Sequence, residues 1–172
     1  MKSLIIIFFL SISITLNAQE TEKGKIKIEE LPGVVIKRVG TDFSVYIPDN
    51  NPDQRVKMVE EKFIAYDLGK DAEGFEEYLV VMEVSNGSLT ATYNEKGKLV
   101  RVVENFKDVK LPSDVIYSIY RTYPGYSIVN DRFLYTQEDG DIIKKQYNVK
   151  IKKDNETVKL VVRPNGEIIK EK

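Results

Sequence analysis

From Glu77 to Val100 the chain reads EYLVVMEVSNGSLTATYNEKGKLV, and from Gln146 to Ile169 it reads QYNVKIKKDNETVKLVVRPNGEII. Tyr78 aligns with Tyr147 and Gly97 with Gly166, each pair 69 positions apart, so the two stretches superpose without a gap. Self-similarity at a fixed offset is read before any other pattern, because a repeated unit sets the architecture. Each stretch alternates apolar and polar residues between turn signals, which is the signature of half-buried antiparallel strands. In the first, Tyr78, Val80, Met82 and Val84 share one face, Asn86-Gly87 marks a tight hairpin, and Asn94-Glu95-Lys96-Gly97 turns the chain again. In the second, Asp139-Gly140, Asp154-Asn155 and Pro164-Asn165-Gly166 are the turns.

A helix precedes each meander. Asn51-Pro52-Asp53 opens the first with a capping side chain, a fixed φ and an acid at the positive end of the dipole. Val56, Val59, Phe63 and Ile64 then line one face, with Lys57, Glu60, Glu61 and Lys62 largely on the other and Gly69 as the stop. Pro112-Ser113-Asp114 opens the second, striped by Val115, Ile116, Ile119, Tyr120 and Tyr123 and ended by Pro124-Gly125. Ahead of both, Val34-Val35-Ile36 and Phe43 to Ile47 read as β-structure. The fold class is α+β: two tandem repeats of a helix plus an antiparallel meander, over residues 41–106 and 107–172. A leader or edge strand occupies 19–40. Thr157 to Val162 reads as an edge strand blunted by nearby lysines.

Residues 1–18 have the build of a removable signal peptide: Lys2, an apolar run from Leu4 to Leu10, and small Ala18 before the cut. This implies a periplasmic or secreted protein with no membrane insertion after cleavage. The remaining 154 residues carry 25 basic and 27 acidic side chains, a formal charge of −2. So even a balance gives no footprint for nucleic acid. With no cysteine, stability rests on burial rather than disulfides.

Leu111-Pro112 followed by Val115, Ile119 and Tyr123-Pro124-Gly125 resembles the helix signature of bacterial periplasmic PepSY-like domains, as does the hairpin from Ala91 to Leu99. The tandem layout resembles the beta-lactamase inhibitor protein fold, in which each half is helical and then a four-stranded antiparallel sheet. The resemblance spans about residues 40–172 and implies an inhibitor-like binding role. The first copy departs from it, with Phe63-Ile64-Ala65-Tyr66-Asp67 where the second has Tyr-Pro-Gly. Similar short exported sequences carry a nicotinate-nucleotide adenylyltransferase label. That class uses a His-x-Gly-His cluster on a Rossmann-like fold, and this chain has neither histidine nor a βαβ pattern.

Without His or Cys, the usual general base, thiolate nucleophile and soft metal ligands are missing. The sequence therefore implies no catalytic residues, no cofactor and no metal. The alternative is a carboxylate-based envelope hydrolase, for which Glu76-Glu77 and Glu138-Asp139-Gly140-Asp141 are the candidate acids. Those last acids also suit calcium by type but not by spacing, and Asp49-Asn50-Asn51-Pro52-Asp53 is accounted for by capping. The stronger lead is the ten tyrosines and seven phenylalanines, since Tyr suits wet binding surfaces. Tyr117, Tyr126, Phe133 and Tyr135 are the candidate contacts for a protein or peptide partner in the cell envelope. Tyr117 leads because it lies off the apolar stripe of its helix.

Overall fold

The computed structural model describes residues 35–39, 42–66, 68 and 76–171. The signal-peptide and leader expectations for residues 1–34 lie outside them, as does the helix stop at Gly69.

A two-stranded hairpin, β1 (Val35–Val39) and β2 (Asp42–Tyr46), leads into helix α1 (Gln54–Ala65). Strands β3 (Glu77–Val84), β4 (Gly87–Asn94) and β5 (Leu99–Lys107) follow, then helix α2 (Ser113–Thr122). Strands β6 (Ser127–Glu138), β7 (Asp141–Lys153), β8 (Glu156–Val162) and β9 (Ile168–Glu171) complete the order. β3 through β9 form a single seven-stranded antiparallel sheet in sequence order. The two meanders are therefore not separate sheets: β5 and β6 pair from Arg101↔Glu138 to Lys107↔Arg132. The expected edge at Thr157–Val162 is an interior strand, since β8 lies between β7 and β9. The sheet ends are β3 and β9.

Alternation along the strands decides which face is dry. Leu89 and Ala91, Val102 and Phe106, Phe133 and Tyr135, Tyr147, Val149 and Ile151, and Leu160 and Val162 point to one side and are buried. Val56, Val59 and Phe63 of α1 and Val115 and Ile119 of α2 join them in one hydrophobic cluster, so both helices cover the same face. Burying each such side chain favours the fold by about 1.5–3 kcal/mol. The stripe of α2 is narrower than its sequence suggests, because Ile116 and Tyr120 are exposed.

Local chemistry sets the ends and turns. The N-cap of α1 is Asp53 rather than Asn51; its Oδ1 accepts the Arg55 N–H at 2.9 Å. Its Oδ2 accepts the Lys110 N–H at 2.7 Å, which ties the helix start to the chain after β5. The first hairpin turns on Ser85-Asn86, with only Asn86 at positive φ (66°), and Gly87 already belongs to β4. Gly87 is needed for space instead, since a Cβ there would overlap the Phe106 ring. The two glycine turns match in detail. Gly97 N–H donates to Asn94 O and Gly166 N–H to Arg163 O, both at 2.9 Å. Register shifts fall at Thr92/Tyr93 and Val161/Val162, again 69 positions apart.

Candidate functional site

The face of the sheet away from the helices carries a hollow of about 900 Å³ crossed by β5 to β9. Six cations line it: Lys107, Arg132, Lys144, Lys150, Lys159 and Lys170. Pairing register explains their gathering, because residues directly opposite on neighbouring strands share a face. Lys107 faces Arg132 across β5–β6, and Lys150 faces Lys159 across β7–β8. Arg132 continues through Asn148 and Val161 to Lys170, giving one row across five strands. Like charges opposed in this way destabilise a sheet. None of the six is ion-paired to another described residue. Asn130, Gln146 and Asn148 add amides between them, with Gln146 Nε2 donating to Asn148 Oδ1 at 2.8 Å. Asp108 and Asp131 stand at one end. Burial pushes the Asp131 carboxyl up to about 6, although it accepts the Val109 N–H at 3.0 Å.

On the opposite, helix-covered face, three carboxylates meet where the β2–α1 linker crosses the sheet. Glu60, Glu104 and Asp49 are all buried, Glu104 completely. The Tyr46 hydroxyl donates to Glu104 Oε1 at 2.9 Å and lies 3.5 Å from Glu60 Oε1. Glu60 Oε1 accepts the Asp49 N–H at 2.7 Å. Asn51 Nδ2 lies 3.0 Å from both Asp49 Oδ2 and the Tyr147 hydroxyl, and Lys145 Nζ sits 2.5 Å from Asp49 Oδ1. Glu104 Oε2 has no hydrogen-bond partner. Loss of hydration raises all three acids, lifting Glu60 to about 7 and Glu104 well above its ordinary range. The cluster can hold a proton, and all three of its acids are buried. Among the described residues no group of acids is arranged to hold a metal ion.

The remaining side of the linker is fastened by an amide. Gln137 Nε2 donates to Val45 O at 2.6 Å and its Oε1 accepts the Ile47 N–H at 2.9 Å, as a neighbouring strand would. The Tyr135 hydroxyl donates to Ile47 O at 2.6 Å.

The structure separates the four aromatic candidates. Tyr117 is exposed at 69 % on the outer side of α2. Tyr126 is half-buried in the turn after α2, edge-on to Tyr123, with Lys153 over its ring. A hydrogen bond to Glu156 pushes its hydroxyl up to about 12. Phe133 and Tyr135 are corrections: both are core residues with no exposed surface, because they alternate with Arg132 and Leu134 on β6 and face the helices. The four do not come together as one surface. The acids proposed for hydrolysis are exposed, Glu76 and Glu77 where β3 begins and Glu138, Asp139 and Asp141 around the β6–β7 turn.

Two groups escaped the sequence reading although their signals were present. Glu60 falls four residues after Val56 and three before Phe63, on the apolar face rather than the wet one. Glu104 alternates with Val102 and Phe106. The cations of β7 were also legible, since Lys144, Gln146, Asn148 and Lys150 recur with period two.

No family model matches the chain, and no curated protein matches it either. Among solved structures, it is similar to a DUF2874 family protein from Bacteroides uniformis ATCC 8492 at 15% identity. That match covers 56% of this chain and 70% of the other, with a TM-score of 0.36. A DUF2874 family protein from Bacteroides ovatus ATCC 8483 is 15% identical over 72% of this chain and 88% of the other, with a TM-score of 0.37. A protein from Bacteroides eggerthii DSM 20697, whose given name proposes a periplasmic location, is 10% identical over 69% and 86%, with a TM-score of 0.33. Among the described residues no helix is long and apolar enough to cross a membrane.

Proposed function

We propose that this protein is an exported, non-catalytic binding module of the cell envelope whose outer sheet face receives an anionic partner. The observation that carries the reading is two pairs of directly opposed cations, Lys107 with Arg132 and Lys150 with Lys159, which have no ion-pair partner among the described residues although Asp108 and Asp131 stand at one end of the hollow. An anion laid across the strands offsets the repulsion that the free protein bears. Catalysis finds less support, since the acids that gather are buried and the exposed ones sit at a strand start and a turn.

Export rests on the build of residues 1–18. The matched turns and register shifts, 69 positions apart, favour an origin by duplication of one helix-and-meander unit of the PepSY-like kind. After duplication, the two meanders have merged through β5 and β6.

Retention on a sulfonate cation exchanger at neutral pH and low ionic strength tests the reading. A chain of net charge −1, or −2 without residues 1–18, has no general reason to bind such a resin, so retention reports a local basic face. The double variant Lys150→Gln/Lys159→Gln is expected to elute at markedly lower salt. Flow-through of the unmodified protein, or equal elution of the variant, overturns it.

A further inference from the structure

The make-up of the basic hollow narrows what fills it, and this step rests on the binding reading above. We infer that the occupant is a linear acidic polysaccharide, a chain bearing carboxylates and hydroxyls, laid across strands β5 to β9.

Three features of the surface select this class. The first is charge: six cations span five adjacent strands, neighbouring strands lie about 4.8 Å apart, and so the row suits an extended polymer with recurring negative charge better than one small anion. The second is the amides. Asn130, Gln146 and Asn148 stand among the cations and offer donors and acceptors together, which hydroxyl groups need and simple anions do not. Asn130 faces Lys150 and Asn148 faces Arg132, so amide and cation alternate across the hollow. The third is what the surface does not offer. Its apolar side chains are Val161 and Ile169, since Val149 and Leu160 border it while turning theirs into the core, and no aromatic ring lines it among the described residues. Single-stranded nucleic acid is held by stacking bases on aromatic rings, which this lining lacks. A protein partner is anchored by aromatic side chains or arginine in a desolvated centre, and interfaces are depleted in lysine. Five of the six cations here are lysines. A hydrated, hydroxyl-rich polyanion is the class that matches all three features.

Binding is measured calorimetrically with the purified protein at low ionic strength against four polymers: polygalacturonate, poly-L-glutamate, single-stranded DNA and neutral dextran. Polygalacturonate is expected to bind about tenfold or more tightly than the other two polyanions, and dextran not at all. Lys150→Gln/Lys159→Gln weakens every polyanion. Gln146→Ala/Asn148→Ala weakens polygalacturonate several-fold and leaves poly-L-glutamate and DNA unchanged. Both variants alter outward-facing side chains, and their melting temperatures establish that they fold. Equal affinity for the three polyanions, or amide variants without effect, overturns the polysaccharide assignment while the anionic face stands. Tighter binding of DNA or poly-L-glutamate assigns the face to that class instead. If no polyanion binds, both this inference and the reading beneath it fail.

Discussion

Replacing Glu60 by glutamine changes how stability depends on pH, and the size of the change follows from where the side chain sits. Glutamine keeps an oxygen that can accept the Asp49 N–H, now held at 2.7 Å, and deletes the titration. A glutamate ordinarily titrates near 4.5, whereas burial lifts Glu60 to about 7 in the folded protein. Between those values the folded chain holds a proton that the unfolded chain has released. The stabilisation is therefore fully present below pH 4.5 and is lost as pH rises through about 7. Each tenfold difference in proton affinity between the folded and unfolded chains is worth about 1.4 kcal/mol, so the loss amounts to about 3 kcal/mol. Glu60 is only 4 % exposed, so solvent screening removes little of this. Urea unfolding of both proteins from pH 4.5 to about 8.5 measures the effect. The stability of the variant relative to the unmodified protein should climb across the window and level off above it. A difference that stays flat, or falls as pH rises, refutes the argument that burial of this acid is uncompensated.

Gly166→Ala places a Cβ 2.6 Å from Asp114 O at a φ of +85°, and should destabilise by about 2 kcal/mol or more; an unchanged melting curve would count against the packing of the β8–β9 turn on α2. Asp53→Ala removes the cap of α1 and the acceptor for Lys110 N–H, with an expected loss of about 1–2 kcal/mol in chemical denaturation. Tyr135→Ala should cost about 3–5 kcal/mol, while Tyr117→Ala should change stability by less than about 0.5 kcal/mol. Comparable losses at both positions would contradict their burial.

Much of the fold was legible because it is local. Pro52 and Pro112, the apolar spacings after them, and the turns around Gly97, Gly140 and Gly166 specify helices and strands within a few residues. Joining the meanders was not legible. The pairing of β5 with β6 joins strands separated by a helix, and no short-range pattern states it. Phe133 and Tyr135 were misplaced as contact candidates for a related reason. Tyrosine suits a wet surface and a core equally, and only the phase of β6 shows that Phe133 and Tyr135 face inward. The charge balance misled in another way. A formal total of −1 averages over the whole chain, whereas the sheet gathers Lys144, Lys150, Lys159 and Lys170 of β7, β8 and β9 on one side.

The segment from Val45 to Asp53 gives its polar contacts to strands from both halves of the chain. Tyr46 bonds Glu104 on β5, Gln137 and Tyr135 on β6 bond Val45 and Ile47, and Asn51 bonds Tyr147 on β7. Severing the chain between β5 and α2 would accordingly not yield two self-sufficient pieces. The C-terminal fragment would be left with bare tyrosines where the linker had lain, and the N-terminal fragment with an unclosed sheet edge. Each would need the other present to fold, as complementing fragments do, and the molecule is to be shortened, fused or swapped as one indivisible body.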